Sequence, residues 1–317
     1  MSEFSPTEAA LEGLRITRER PIAVLWWWAA YVIAALVQIG VSALPPFNHL
    51  AAVLPDLQAA SIAVQQNPTD AAASQHFMGL IGRSAPAFVA FAALVLLIQM
   101  ILSTAVLRAV LRPAERAAGY LRLSLDEVRQ LGLALLMFAA FVAYAFVVSL
   151  ASGVVVGVLG MFLGKALPIL GGLAFALVTV AFIYPVVRLS LAPAMTLADG
   201  RISFMRSWAL TQGRFWPLFG AYIVAFIIAF ALWAAIYTLV AILLLVSGVD
   251  AKAAAESGAA MRFSPVFVAL LLANGLLGAL ISVIVTAPMA SAFRQITGRV
   301  GAQLQSRATA GSPWGQP

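Results

Sequence analysis

Long apolar segments separated by short polar connectors dominate the sequence. The apolar segments cover residues 21–44, 86–111, 131–191, 217–246 and 265–287. A helix that crosses a bilayer needs about 20 mostly apolar residues, so four segments suit one crossing each, while 131–191 is long enough for two. Its only polar turn signal is Gly164-Lys165-Ala166-Leu167-Pro168, which would divide it. The pattern predicts an all-α polytopic transmembrane bundle of about six spans.

Three connectors combine basic residues with apolar residues at helical spacing, which predicts helices lying along the membrane surface. Their apolar stripes are Leu11 and Leu14; Leu121, Leu125 and Val128; and Phe204, Trp208 and Phe215. Ser5-Pro6-Thr7-Glu8 and Ser124-Leu125-Asp126-Glu127 have the form of capping boxes, so helices should begin at both places. We expect residues 1–20 to form an amphipathic lead, 21–293 a single membrane domain and 294–317 a disordered tail.

Prolines mark the ends of the even-numbered spans. Pro113, Pro193 and Pro288 each stand at such an end, and Arg108 and Arg188 each precede their proline by five residues. The pattern suggests three copies of a unit made of a surface helix and two spans. Prolines and arginines at the ends of unrelated transmembrane helices could produce the same pattern, so both interpretations remain open.

Four glycines recur in the third span, at Gly153, Gly157, Gly160 and Gly164. They form overlapping GxxxG patterns, which allow a second helix to approach closely. Packing within the bundle is the expected use, and a homo-oligomer seam is the alternative.

Composition strengthens the membrane assignment and limits the chemistry. Hydrophobic residues make up 63% of the chain and charged residues 10%, whereas soluble domains carry roughly 25% charged residues. The absence of cysteine removes disulfides and thiolate chemistry. The carboxylates and both histidines, His49 and His76, lie outside the predicted spans, and no GxSxG, HExxH or glycine-rich phosphate loop occurs. We therefore expect no enzyme activity, no cofactor and no metal site.

The arginines sit beside apolar spans, which points to lipid headgroups rather than nucleic acid. With six spans and both termini cytoplasmic, 15 basic residues lie inside and 4 outside, as the positive-inside rule requires. The residues expected to contact anionic lipid are Arg188, Arg201, Arg206, Trp208, Arg214 and Trp216. The plainer interpretation is a basic turn with snorkelling arginines and interfacial tryptophans.

Two amides stand out within the spans. Gln99 is the strongly polar group of the second span, and Asn274 is the deepest amide of the sixth. Such an amide typically makes an interhelical hydrogen bond. Together with Arg188, these residues could also line a path in a transporter or channel for an uncharged or lipidic substrate.

Residues 188–217 contain a recognisable motif. The matching positions are Arg188, Pro193, Gly200, Ser207, Trp208, Leu210, Gly213, Arg214, Phe215 and Trp216. This pattern resembles the membrane domain of bacterial glycerophosphodiester phosphodiesterases and the YciC-like inner-membrane proteins. In those phosphodiesterases the catalysis belongs to a separate soluble barrel, which this sequence lacks. The resemblance implies a multi-span bacterial inner-membrane domain without a settled activity, for which we expect a role in lipid or envelope homeostasis or as a scaffold.

Overall fold

A computed structural model describes residues 4–45, 47–67, 70–115, 117–163, 167–246 and 265–298, and these form helices and turns without strands. The helices are α1 (Pro6–Glu19), α2 (Pro21–Ser42), α3 (Asn48–Gln66), α4 (Ala71–Leu111), α5 (Leu125–Leu163), α6 (Leu167–Leu189), α7 (Ala192–Asp199), α8 (Phe204–Leu210), α9 (Phe215–Val246) and α10 (Pro265–Thr297). A short 3-10 turn, Ala117–Tyr120, lies between α4 and α5. Six of these helices, α2, α4, α5, α6, α9 and α10, are long and apolar enough to cross a membrane. The prediction of an all-α six-span bundle is confirmed.

The last helix, α10, forms the centre of the bundle. It packs against α1, α2, α4 and α9, and one end also reaches α7. In its most apolar stretch 33% of the residues are buried inside the protein, compared with 6% in the most apolar stretch of residues 118–155, which include most of α5. The α5 and α6 helices pair with each other at the periphery, and α3 packs against α4.

Both predicted capping boxes begin helices. The Ser5 hydroxyl accepts from the Glu8 backbone N–H, and α1 starts at Pro6. At α5 the serine is the donor and the glutamate side chain the acceptor. The Ser124 N–H and hydroxyl both donate to the Glu127 carboxylate, at 2.8 and 2.9 Å. These bonds occupy donors that a helix start would otherwise leave without a partner.

Two helices extend past prolines that were expected to bound them. The second span was predicted to begin at Pro86, but α4 begins at Ala71, where Asp70 accepts from the first backbone N–H groups. The sixth span was predicted to end before Pro288, but α10 continues to Thr297, four residues into the expected disordered tail. Transmembrane helices tolerate such prolines because neighbouring groups satisfy the freed carbonyls.

The glycine pattern of the third span does not pack inside the bundle where the structure describes it. A Cβ atom placed on Gly153 or Gly157 would have no neighbour within 4 Å. The expected internal packing is therefore wrong at these two residues, and a homo-oligomer seam there remains a prediction. The side-chain surroundings of Gly160, and Gly164 altogether, lie outside the described residues.

Candidate lipid-contact site

The connector between α6 and α9 folds back over the end of α6, and we call residues 190–214 the basic connector. The Ser207 and Thr211 hydroxyls each donate to the Arg188 backbone carbonyl at 3.0 Å. That carbonyl belongs to the last turn of α6, where helices leave carbonyls without an internal partner. Gly200, with a φ of 64°, ends α7 in a left-handed conformation that glycine adopts readily. The basic connector is thus fixed to the end of α6.

The Arg188 side chain does not snorkel to the surface, as its position near a helix end had suggested. It is only 5% exposed, and its guanidinium carbon lies 4.9 Å from the Trp208 ring centroid and 5.7 Å from that of Tyr184. Its Nε atom is buried without a hydrogen-bond partner. Aromatic faces attract a desolvated guanidinium, which explains why this cation stays inside the protein.

The other predicted lipid-contact residues are more accessible. Arg201 and Arg206 are exposed, and Arg206 pairs with Asp199. Arg214 is partly buried and donates to the Leu210 carbonyl at 3.4 Å. Trp216 is 75% exposed. The basic connector and the start of α9 therefore present cations together with an indole, the combination favoured at membrane interfaces.

An apolar cleft of about 340 Å³ adjoins the basic connector. Its walls come from α5, α6 and α8: Ala140, Phe141, Tyr144, Pro185, Leu189, Phe204, Met205 and Trp208. Trp208 thus touches both the buried Arg188 guanidinium and the cleft. A cleft of this lining suits part of a hydrocarbon chain and offers little to a polar solute.

A second buried arginine anchors the start of α5. Arg108 is 0% exposed and forms ion pairs with Asp126 and Glu127. Asp126 also pairs with Arg112 at 2.9 Å and with Arg129 at 3.3 Å. This network occupies both carboxylates, so we interpret it as structural. The sequence pattern places Asp126 and Glu127 on a surface connector and Arg108 near the end of the second span, and it does not predict their burial.

The two intramembrane amides come together, as one functional hypothesis required, but without Arg188. Gln99 and Asn274 line one cavity of about 360 Å³, and Arg188 is not among its lining residues. Asn274 accepts a hydrogen bond from the Tyr237 hydroxyl of α9 at 3.1 Å, so the predicted interhelical bond is confirmed. Tyr31 and Ser282 line the same cavity, and sequence reasoning did not select either of them. Hydroxyl groups are common in such spans and carry no signal without packing information.

The two histidines lie in separate helices. His49 lies in α3, and His76 lies near the start of α4, a long helix that begins before the predicted second span. Among the described residues no cluster of three or more His, Cys, Asp or Glu side chains could hold a metal ion.

Comparison of the chain with protein-family models, with curated proteins and with solved structures finds no match. The resemblance carried by residues 188–217 therefore stays a prediction. What the structure itself establishes is a chain with six helices suited to a membrane and a basic connector packed against them.

Proposed function

We propose that this protein is a non-enzymatic inner-membrane protein that binds anionic lipid at the basic connector, in lipid or envelope homeostasis or as a membrane scaffold. The observation that carries the proposal is the close association of exposed cations with an apolar cleft. Arg201 and Arg206 are exposed on the basic connector, whose Phe204 and Trp208 also line the cleft. A phospholipid offers both a phosphate for the arginines and a hydrocarbon chain for the cleft.

The anchoring of the basic connector to α6 supports this role. Ser207 and Thr211 are fully buried and bonded to the end of α6. Cations held on a fixed backbone need less ordering when a lipid binds, and less ordering means tighter binding. Each arginine suitably placed at an anionic surface contributes about 1 kcal/mol.

Lipid retention measured by native mass spectrometry tests the proposal. We expect Arg201→Gln to lower the affinity for phosphatidylglycerol about fivefold, since that factor corresponds to about 1 kcal/mol. Combining Arg201→Gln, Arg206→Gln and Arg214→Gln should remove most phosphatidylglycerol adducts. Binding of the zwitterionic phosphatidylcholine should change little.

Arg83→Gln is the matched control, because Arg83 is an exposed arginine on α4, remote in sequence from the basic connector. It removes the same charge and should leave phosphatidylglycerol adducts unchanged. If the triple variant retains these adducts at the level of the unmodified protein, anionic lipid does not bind at the basic connector and the proposal fails.

A further inference from the structure

We infer that the cavity between α2, α4 and α10 is a binding site for an uncharged lipid whose headgroup carries hydroxyl groups, such as a diacylglycerol. This site is distinct from the basic connector and does not depend on the function proposed there. Its lining residues are Tyr31, Gln99, Asn274, Leu277, Gly278, Ile281, Ser282, Val285 and Thr286. None of them is ionisable at neutral pH.

The polar side of the cavity follows one face of α10. Asn274, Gly278, Ser282 and Thr286 recur every four residues, so they lie along the same side of the helix. The first and last are twelve residues apart, which is about 18 Å at 1.5 Å per residue. The cavity therefore extends over more than half of a hydrocarbon core that is about 30 Å thick.

Gly278 allows the opposite wall to come close. A Cβ atom at this position would lie 2.7 Å from Cδ1 of Tyr31. Because glycine leaves that space free, the Tyr31 ring lies against α10, and its hydroxyl reaches across to donate to Oε1 of Gln99 at 3.0 Å. The three helices thus contribute polar groups to one cavity.

Unused hydrogen-bonding groups remain inside this volume. Ser282 is 5% exposed, and its hydroxyl, although near that of Tyr31, has no hydrogen-bond partner of normal geometry. The Gln99 amide nitrogen has no partner among the described residues, since only its Oε1 atom is engaged. The buried Ser282 hydroxyl costs about 1 to 3 kcal/mol while it lacks a partner, whereas the Gln99 amide nitrogen belongs to an exposed side chain. A ligand that bonds to the Ser282 hydroxyl would recover that free energy, and the same ligand could accept from the Gln99 amide.

The chemistry of the walls selects against charge. A charged group at this depth would lose its hydration and find no opposite charge among the lining residues. Hydroxyl groups can both donate to and accept from the Ser282 hydroxyl and the Gln99 amide. The ligand class that fits is therefore neutral and rich in hydroxyl groups.

The position of the opening indicates a lipid rather than a water-soluble polyol. Gln99 and Asn274 are exposed on helices whose outer surfaces are apolar. The neighbouring Leu276 and Val285 are also exposed, at 41% and 40%. The cavity thus opens sideways on a surface that faces hydrocarbon, where a lipid headgroup could enter while its chains remain outside.

Photocrosslinking of the full chain in phosphatidylcholine nanodiscs tests this inference. The probe is dioleoylglycerol with a photoreactive group close to its glycerol. We expect labelled peptides from α2, α4 and α10. Each of Ser282→Ala and Gln99→Met should weaken probe binding about fivefold, as expected for the loss of a hydrogen bond worth about 1 kcal/mol. Both changes are close to volume-conserving, so if one variant fails to fold, the other decides the test.

Ser103→Ala is the matched control, because Ser103 also lies on α4 but bonds to the Met100 carbonyl of its own helix. It should leave labelling unchanged, as should the triple arginine variant of the basic connector. Unlabelled dioleoylglycerol should compete with the probe, whereas glycerol and phosphatidylglycerol should not. Equal labelling of unmodified protein, Ser282→Ala and Gln99→Met, or equal competition by either control compound, would overturn the inference.

Discussion

Arg108 and Arg188 both stand five residues before a proline, yet the protein accommodates the two cations by different means. Arg108 is balanced by the carboxylates of Asp126 and Glu127. Arg188 has no ion pair among the described residues and lies instead against the rings of Tyr184 and Trp208. The two arginines therefore have different energetic consequences when they are removed.

Replacing each arginine by methionine separates these effects. Arg108→Met leaves the buried Glu127 carboxylate without its cation, while Asp126 keeps Arg112 and Arg129. The loss of one partner from a buried pair typically costs about 3 to 5 kcal/mol. Arg188→Met keeps an apolar side chain against the rings and loses a cation–π contact of about 1 to 2 kcal/mol. Reversible unfolding in mixed micelles should show the larger loss for Arg108→Met. Equal losses would contradict the structural role assigned to the Asp126 and Glu127 pairs.

The sequence predicts the surroundings of some residues of the candidate site and not of others. Exposed Arg201 and Trp216 follow from their place beside an apolar span, because interfacial position alone determines their surroundings. Burial of Arg188 depends on Trp208 and Tyr184, which come from different helices. The pairing of Tyr31 with Gln99 joins residues 68 positions apart and depends on how α2 and α4 pack.

At the scale of elements, α1 has two different faces. Leu11 and Leu14 predict a face along the membrane surface, and both are more than 40% exposed on the protein. The buried face consists of Ala9, Ala10, Gly13 and Ile16, together with Glu12, which pairs with Arg15 and Arg294. Small residues allow two helix backbones to approach closely, so α1 packs on α10 through its smallest side chains and leaves its leucines outside.

Gly13 provides a direct test of this packing. A Cβ atom here would lie 2.8 Å from Cα of Ile284, a backbone atom that can move only with its helix. Gly13→Ala should therefore destabilise the protein by about 1 to 3 kcal/mol, the usual cost of overpacking. In a helix without such a contact the same change is favourable by up to about 1 kcal/mol.

Gly40→Ala in α2 supplies the comparison, since nothing lies within 4 Å of its added methyl group. Melting temperatures in detergent should fall for Gly13→Ala and stay level or rise for Gly40→Ala. A neutral Gly13→Ala variant would show that α1 does not pack tightly on α10.

Helix boundaries were predictable where the signal is local and unpredictable where neighbours decide. Ser5 and Ser124 mark helix starts because the capping bonds lie within four residues. Pro86 and Pro288 predict helix boundaries, but both lie inside helices. A proline breaks an isolated helix, whereas inside a bundle the packed environment compensates.

At the scale of the whole molecule, each even-numbered span is fixed at one end to a connector. The end of α4 binds the start of α5 through Arg108, and the end of α6 binds α8 through the Arg188 carbonyl. The end of α10 binds α1, where Arg294 meets Glu12. The predicted threefold repeat requires three such contacts, one at the end of each even-numbered span. The third contact uses α1, the surface helix at the start of the chain. The repeat itself stays a prediction.

These contacts place the basic connectors together at one end of the bundle, and charge then predicts which side of the membrane that end faces. Of the 19 basic residues, 15 would lie on the connector side, so the positive-inside rule assigns that side to the cytoplasm.

The chain contains no cysteine, which makes the labelling of single-cysteine variants unambiguous. Gln212 on the basic connector and Gln65 at the end of α3 are both exposed. In intact cells a membrane-impermeant maleimide should label Gln65→Cys at once and Gln212→Cys only after permeabilisation. The reverse labelling would place the basic connector in the outer leaflet and remove the charge argument for anionic-lipid binding on the cytoplasmic side.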